Sequence, residues 1–176
     1  MKKALRCLLV PAFAAACALP ATVDAAVDVF LKIDGIPGES TAQKDQIDVL
    51  SWSWGMSQQG AVGMRGAARG CITELHLMKL IDKATPKLMG ALVSGTVLKN
   101  AKLSLRKATE AKEGAEFFTI EMETVFVSSL QESGSSDTPT ESLSLRFAKA
   151  TVTYTQQKPD GSSGDKLPVT IQASPC

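Results

Sequence analysis

The sequence predicts a mainly β domain of antiparallel strands with one α-helix. Three observations predict it. From Leu50 to Met56 every second residue is large and apolar (Leu50, Trp52, Trp54, Met56), and Ser51, Ser53 and Gly55 lie between. This is the period of a strand with one buried face. The same alternation recurs along most of the chain beyond residue 26. Only one stretch, around Leu88, has helical spacing with a start and a stop signal.

The elements follow in order. Val27, Val29, Leu31 and Ile33 alternate with Asp28, Phe30 and Lys32, and Gly35, Pro37 and Gly38 break the strand. After the Trp52–Trp54 strand, residues 57–70 (SQQGAVGMRGAARG) have no period and are too long for a tight hairpin. Cys71 to Lys79 alternates again, with Leu75 and Leu77 opposite Glu74 and His76. Thr85 suits an N-cap and Pro86 the first helical position. Leu88, Met89, Leu92 and Val93 form an apolar stripe, and Gly95 is the stop. Next, Ala101, Leu103 and Leu105 share one face, as do Phe118, Ile120, Met122, Thr124 and Phe126. A polar loop spans 133–140. Leu143, Leu145 and Phe147 share a face, and the apolar phase then slips before Val152 and Tyr154, which predicts a β-bulge at 148–150. Pro159, Asp160 and Gly161 form a turn, and Val169 to Ile171 a short last strand. Many alternating strands with one helix fit a closed or nearly closed barrel with the helix on one side; the pattern alone does not separate barrel from sandwich.

The chain has 176 residues, enough for one domain with a substantial core, and a formal net charge of +1. Much of the positive charge is at the start: Lys2, Lys3 and Arg6. With no basic patch interleaved with aromatics, a nucleic-acid partner is not expected. The basic start, the apolar run from Leu8 to Leu19 and the small residues around Val23 and Ala25 predict a signal peptide over 1–25, leaving one domain over 26–176. The run is too short for a stable membrane anchor.

Candidate chemistry is sparse. His76 is the only histidine and no cysteine pair has metal spacing, so neither a metal site nor a cofactor is expected. Ser51 and Ser53 lie outside any G-x-S-x-G turn, and no catalytic residue is assigned. Glycines 60, 63, 66 and 70 lack phosphate-loop spacing. Loss of the leader would leave Cys71 and Cys176, which in an oxidising compartment are candidates for a disulfide worth roughly 4–5 kcal/mol by loop entropy. Two unpaired thiols, or a bridge between subunits, are the alternatives.

The blocks DVFLKIDGIPGES, IDVLSWSWGMSQ, IDKATPKLM, AKLSLRKA and VSSL stand in an order that resembles the hemolysin-coregulated protein (Hcp) family, the tube subunit of bacterial type VI secretion systems. The resemblance covers about Val27 to Gly161. It implies a β-barrel of two antiparallel sheets with a flanking helix, acting as the subunit of a hexameric ring. Rings would stack into a secreted inner tube that carries effector proteins, with a contractile sheath and a VgrG-type spike as further partners, and no reaction catalysed. It implies that Ser51 and Ser53 face the lumen, where small hydroxyls make a weakly adhesive wall, although an ordinary solvated face carries the same residue types. It also implies that the glycine-rich stretch packs on the adjacent subunit, through Gln58, Gln59, Met64, Arg65 and Arg69; a merely flexible loop is the alternative. Asp82, Thr85, Pro86 and Leu88 match the family's helix-start block.

Two features depart from that pattern. The usual tube subunit begins near Val27 without a leader and assembles in the cytoplasm, so a working leader implies periplasmic transit. This chain would then be an exported paralogue with a ligand-binding or effector role, unless translation starts at residue 27. The ending LPVTIQASPC also lacks the family's aromatic last strand.

Overall fold

The computed structural model describes residues 27–58, 70–107, 115–134, 138–158 and 162–173. They form β1 (Val27–Ile33), β2 (Ile47–Asp48), β3 (Ser51–Ser53), β4 (Met56–Ser57), β5 (Cys71–Ile72), β6 (Leu75–Leu80), α1 (Thr85–Ser94), β7 (Leu98–Lys107), β8 (Glu116–Ser133), β9 (Thr140–Gln157) and β10 (Ser163–Gln172). Eight strands make one antiparallel sheet in the order β2-β1-β7-β8-β9-β6-β3, with β10 on β9; β4 and β5 make a separate two-stranded ribbon. The expected class, mainly β with one helix and two sheets, is what forms.

Apolar side chains line up in register across neighbouring strands. Leu31 pairs with Leu103, Leu103 with Ile120 and Ile120 with Val152. Leu77 pairs with Leu143 and Leu143 with Leu130. The rows face inward, and Leu31, Leu77, Leu103, Ile120 and Leu143 are all buried. Cross-strand apolar pairs of this kind stabilise a sheet and fix its register, since a one-residue slip would turn the whole set outward.

The structure corrects the expected closed barrel: the strand order runs from β2 to β3 and these two end strands do not pair with each other. The sheet's two ends, β2 and β3, are consecutive pieces of one short segment. Val49 donates its N–H to Val29 at 2.9 Å, and Leu50 donates to Met78 at 2.7 Å, so the chain passes there from β1 to β6. This handover also corrects the burial pattern. Ile47 and Val49 point in, but Leu50 and Ser51 are both exposed before Trp52 turns back toward the core. Leu50 (57 % exposed) and Met56 (56 %) therefore lie outside the apolar face that strict alternation assigns them.

A second correction concerns the phase slip at 148–150. The β8–β9 register runs unshifted from Phe118↔Tyr154 to Val127↔Leu145. Both strands change phase together: on β8 the inward set passes from Met122 to Val125, and on β9 from Phe147 to Ala150. Thr124 makes the change with a left-handed backbone (φ 55), leaving Phe126 on the outer side. The bulge of this ladder lies at Val127–Ser129 instead. The last strand is also longer than expected, ten residues rather than three.

In α1 the buried residues are Thr85, Leu88 and Ala91, so the stripe is rotated from the expected one; Val93 is 88 % exposed. Gly95 ends the helix in the left-handed region, its N–H on the Ala91 and Leu92 carbonyls. Ala84, not Thr85, occupies the N-cap. The Thr85 hydroxyl turns inward and accepts from the Asp82 N–H (3.2 Å) and Lys79 Nζ (3.1 Å). Lys79 is fully buried, and its remaining two protons go to Leu80 O and Asp82 Oδ1, both at 2.8 Å. Its three donors are then used. Glu141, opposite Lys79 and also fully buried, is 3.5 Å away and has no hydrogen bond to either oxygen among the described residues. It receives Coulombic attraction alone.

Candidate lumen wall and arm root

The outer face of β3, β6 and β9 is built by the strand period. Ser51 pairs with Met78 and Ser53 with His76; Met78 pairs with Ser142 and His76 with Ser144. With Leu75, Leu77, Leu143 and Leu145 turned inward, these partners must all face outward. Ser51, Ser53, His76, Met78 and Ser142 line an open depression of about 180 Å³. The structure thus brings the two singled-out serines together with the only histidine. His76 Nδ1 lies 2.8 Å from the buried Ser144 hydroxyl, not from an exposed serine. Sequence reasoning missed that Met78 (43 % exposed) and Leu80 (43 %) interrupt this hydroxyl-rich face. Their place in the β6 alternation was the available signal.

Beside the depression, Glu74 joins β8 and β9. Its carboxylate accepts from the Ser128 hydroxyl at 2.7 Å and from Arg146 Nε at 3.1 Å, with a further bond from the Arg146 Nη2. The Ser128 bond, helped by the charges of Arg146 and His76, holds this carboxyl below its usual value of 4.5 despite partial burial.

The root of the glycine-rich arm is the β4–β5 ribbon. Its ladder is only two pairs long, Met56↔Ile72 and Ser57↔Cys71. A clamp holds its base. Thr73 donates its N–H to Gly55 O at 3.0 Å, and Gly55 donates to the Thr73 hydroxyl at 2.9 Å, which itself donates back to Gly55 O at 3.0 Å. The tryptophans anchor the same segment in the core. Trp52 stacks on Phe118 (centroids 6.0 Å), and Trp54 meets Phe147 edge-on (5.7 Å). Of the residues expected to contact a neighbouring subunit, Gln58 is exposed at the end of the ribbon; Gln59, Met64, Arg65 and Arg69 lie outside the described residues. Cys71 is disulfide-bonded. Its sulfur has no proton to give, so the Ser57 hydroxyl donates across the ribbon at 3.0 Å. Cys176 and the residues 1–25 of the expected leader are likewise outside the described residues.

Among the described residues no cluster of three or more His, Cys, Asp or Glu could hold a metal, and no helix is long and apolar enough to cross a membrane.

Comparison with known proteins now bears on these surfaces. A family model described as "Type VI secretion system effector, Hcp" matches residues 30–154. The chain is 43 % identical over 143 residues to the protein Hcp1 of Pseudomonas aeruginosa, across 77 % of this chain and 88 % of that protein. Among solved structures it is similar to a type VI secretion system effector from Yersinia pestis (30 % identity, TM-score 0.69, covering 83 % of this chain and 100 % of that one). It is equally similar to Hcp1 from Salmonella typhimurium (30 % identity, TM-score 0.69, 84 % and 95 % covered).

Proposed function

The chain belongs to the Hcp family of the type VI secretion system, and from that premise we propose that it is a structural and carrier subunit that assembles into hexameric rings. Rings stack into the inner tube, effectors ride in the lumen, and the tube is capped by a VgrG-type spike and driven by a contractile sheath. The subunit catalyses no reaction. The observation that carries this reading is the arm root: a two-stranded ribbon, separate from the main sheet and clamped at Gly55–Thr73, that holds both described ends of the glycine-rich stretch. A closed ring needs two different faces of one subunit to meet. The arm supplies one, from Gln58 through Arg69, and the neighbour's sheet supplies the other. Ser51, Ser53, His76 and Ser142 then form the lumen wall, with Met78 and Leu80 as apolar contacts for cargo.

The test is the mass of the purified mature chain in solution, with negative-stain imaging of the same sample. The reading expects a six-subunit species and annular particles. A monomer at high concentration contradicts it. A second reading, an exported paralogue with a ligand-binding or effector role, is favoured by one observation, the Cys71 disulfide, because such bonds persist in oxidising compartments. A monomeric protein recovered from the periplasm with a bound lipid would support that second reading instead.

A further inference from the structure

We propose that the open depression between β3, β6 and β9 is a carboxylate-binding subsite, that its ligand is an acidic segment of a cargo protein, and that His76 sets its charge. Ser51, Ser53, His76, Met78 and Ser142 line it. Among the described residues nothing bonds the hydroxyls of Ser51, Ser53 and Ser142 or the Nε2 of His76. Three hydroxyls and one ring N–H can therefore donate into the same space, and a carboxylate accepts through both of its oxygens. At about 180 Å³ the depression is smaller than a pocket for a drug-sized molecule and suits a single side chain.

The surroundings of His76 decide the sign of the charge. Its cross-strand neighbours are Ser53 on β3 and Ser144 on β9, and on its own strand Met78 lies on the same face. The charged groups beside it are Glu74, just before β6, and Arg146 on β9, and these two pair with each other. Glu74 is also held from β8. Ser128, left out of the ladder at the Val127–Ser129 bulge, donates its hydroxyl to Glu74 at 2.7 Å. Lys79 and Glu141, the next charges on β6 and β9, are buried on the other side of the sheet. With Glu74 and Arg146 balanced, His76 carries the variable charge of this face. Ser144 positions the ring. Its hydroxyl can donate to Nδ1 of the neutral imidazole, which leaves the ring proton on Nε2. In the charged ring Nδ1 donates to Ser144 and Nε2 keeps its proton. The donors are thus the same in both states, and a positive charge is added below the ordinary histidine value of about 6.5. Binding of an acidic segment strengthens as pH falls through that region and weakens as pH rises. That the carboxylate belongs to a cargo protein in a lumen rests on the ring reading; the carboxylate site itself does not.

Fluorescence anisotropy of a labelled decaglutamate peptide with the untagged mature chain, at about pH 5.5 and about pH 7.5, tests the site. Sedimentation of the same samples records the oligomer. His76 is the only histidine of the chain, so few other groups titrate between those values. The expected affinity is about three- to tenfold higher at the lower pH. His76→Gln keeps a donor and cannot charge, so it should bind at both pH values as the wild type binds at the higher one. Ser53→Ala combined with Ser142→Ala should weaken binding several-fold at both and leave the pH dependence in place. The His76 ring resonances of the wild type should move when the peptide is added. Decalysine should not bind, and free glutamate should not displace the peptide at comparable concentration. A pH dependence that survives in His76→Gln, unmoved His76 resonances, equal binding of decalysine, or no binding of decaglutamate would overturn the subsite. Displacement by free glutamate would overturn the cargo assignment and make a small carboxylate the ligand. A monomer that still binds decaglutamate through His76 would end the ring reading and keep the carboxylate site.

Discussion

The indole N–H of Trp54 donates to the carbonyl of Thr73 at 3.1 Å. One residue thereby joins the core to the arm root: its ring packs on Phe147, and its polar edge fixes the strand that returns from the arm. Trp54→Phe keeps most of the ring and loses the donor. It should cost about 1 kcal/mol of stability and lower ring yield far more than it lowers the melting temperature. Equal losses in both, measured by denaturant unfolding and sedimentation, would make Trp54 an ordinary core residue.

The Thr73 hydroxyl both accepts from Gly55 and donates to it. Thr73→Val keeps the shape and leaves the Gly55 N–H without that partner, a cost of about 1–3 kcal/mol. Thr73→Ser should recover most of it. If valine and serine behave alike in urea unfolding, the clamp contributes nothing.

Glu74 sets a pH dependence. Its folded value lies below its ordinary one, because Ser128 and Arg146 stabilise the carboxylate. Such a group contributes stability that is fully present above the unfolded value, near 4.5, and is lost as pH falls through the lower folded value. The melting temperature of the wild type should fall faster with acid below about pH 4.5 than that of Glu74→Gln. Parallel curves would contradict the assignment.

Two buried charges at the start of α1 should respond in opposite ways. Lys79→Met removes the cation that pairs with both Asp82 and Glu141 and should cost about 3–5 kcal/mol. Glu141→Met removes a carboxylate that has no hydrogen bond among the described residues and leaves the Lys79–Asp82 pair intact, so it should be neutral or stabilising by about 1–2 kcal/mol. Chemical denaturation of the two variants checks the order; the reverse order would refute the account of this cluster.

Gly38 has no room for a side chain, since a Cβ there would meet the Gln46 carbonyl at 2.2 Å. Gly38→Ala should destabilise by about 2 kcal/mol or more, whereas Val93→Ser, on the exposed side of α1, should change stability by less than about 0.5 kcal/mol. Thermal unfolding of both distinguishes them.

Much of this was legible in the sequence. Leu75, Leu77, Leu143, Leu145, Leu103 and Leu105 fall inward as their alternation predicts, and Gly95 ends the helix. The failures share a cause, because alternation reports local period and not the partner of a strand. Leu50 turns outward where the chain changes neighbours from Val29 to Met78. Phe126 turns outward because Thr124 takes a left-handed conformation that no threonine signals in sequence. Met89 and Val93 have helical spacing with Leu88, but the sheet under α1 meets Thr85, Leu88 and Ala91. The serine face and the arm root were marked by residue type; the Gly55–Thr73 clamp was not, because it joins residues on either side of the arm.

Sedimentation velocity of the mature, oxidised chain, from micromolar to millimolar concentration, tests the assembly most directly. The account predicts one dominant species of six subunits, lost when Gln58 to Arg69 is replaced by a short glycine–serine linker. A chain that remains a monomer throughout, with its arm intact, would contradict it.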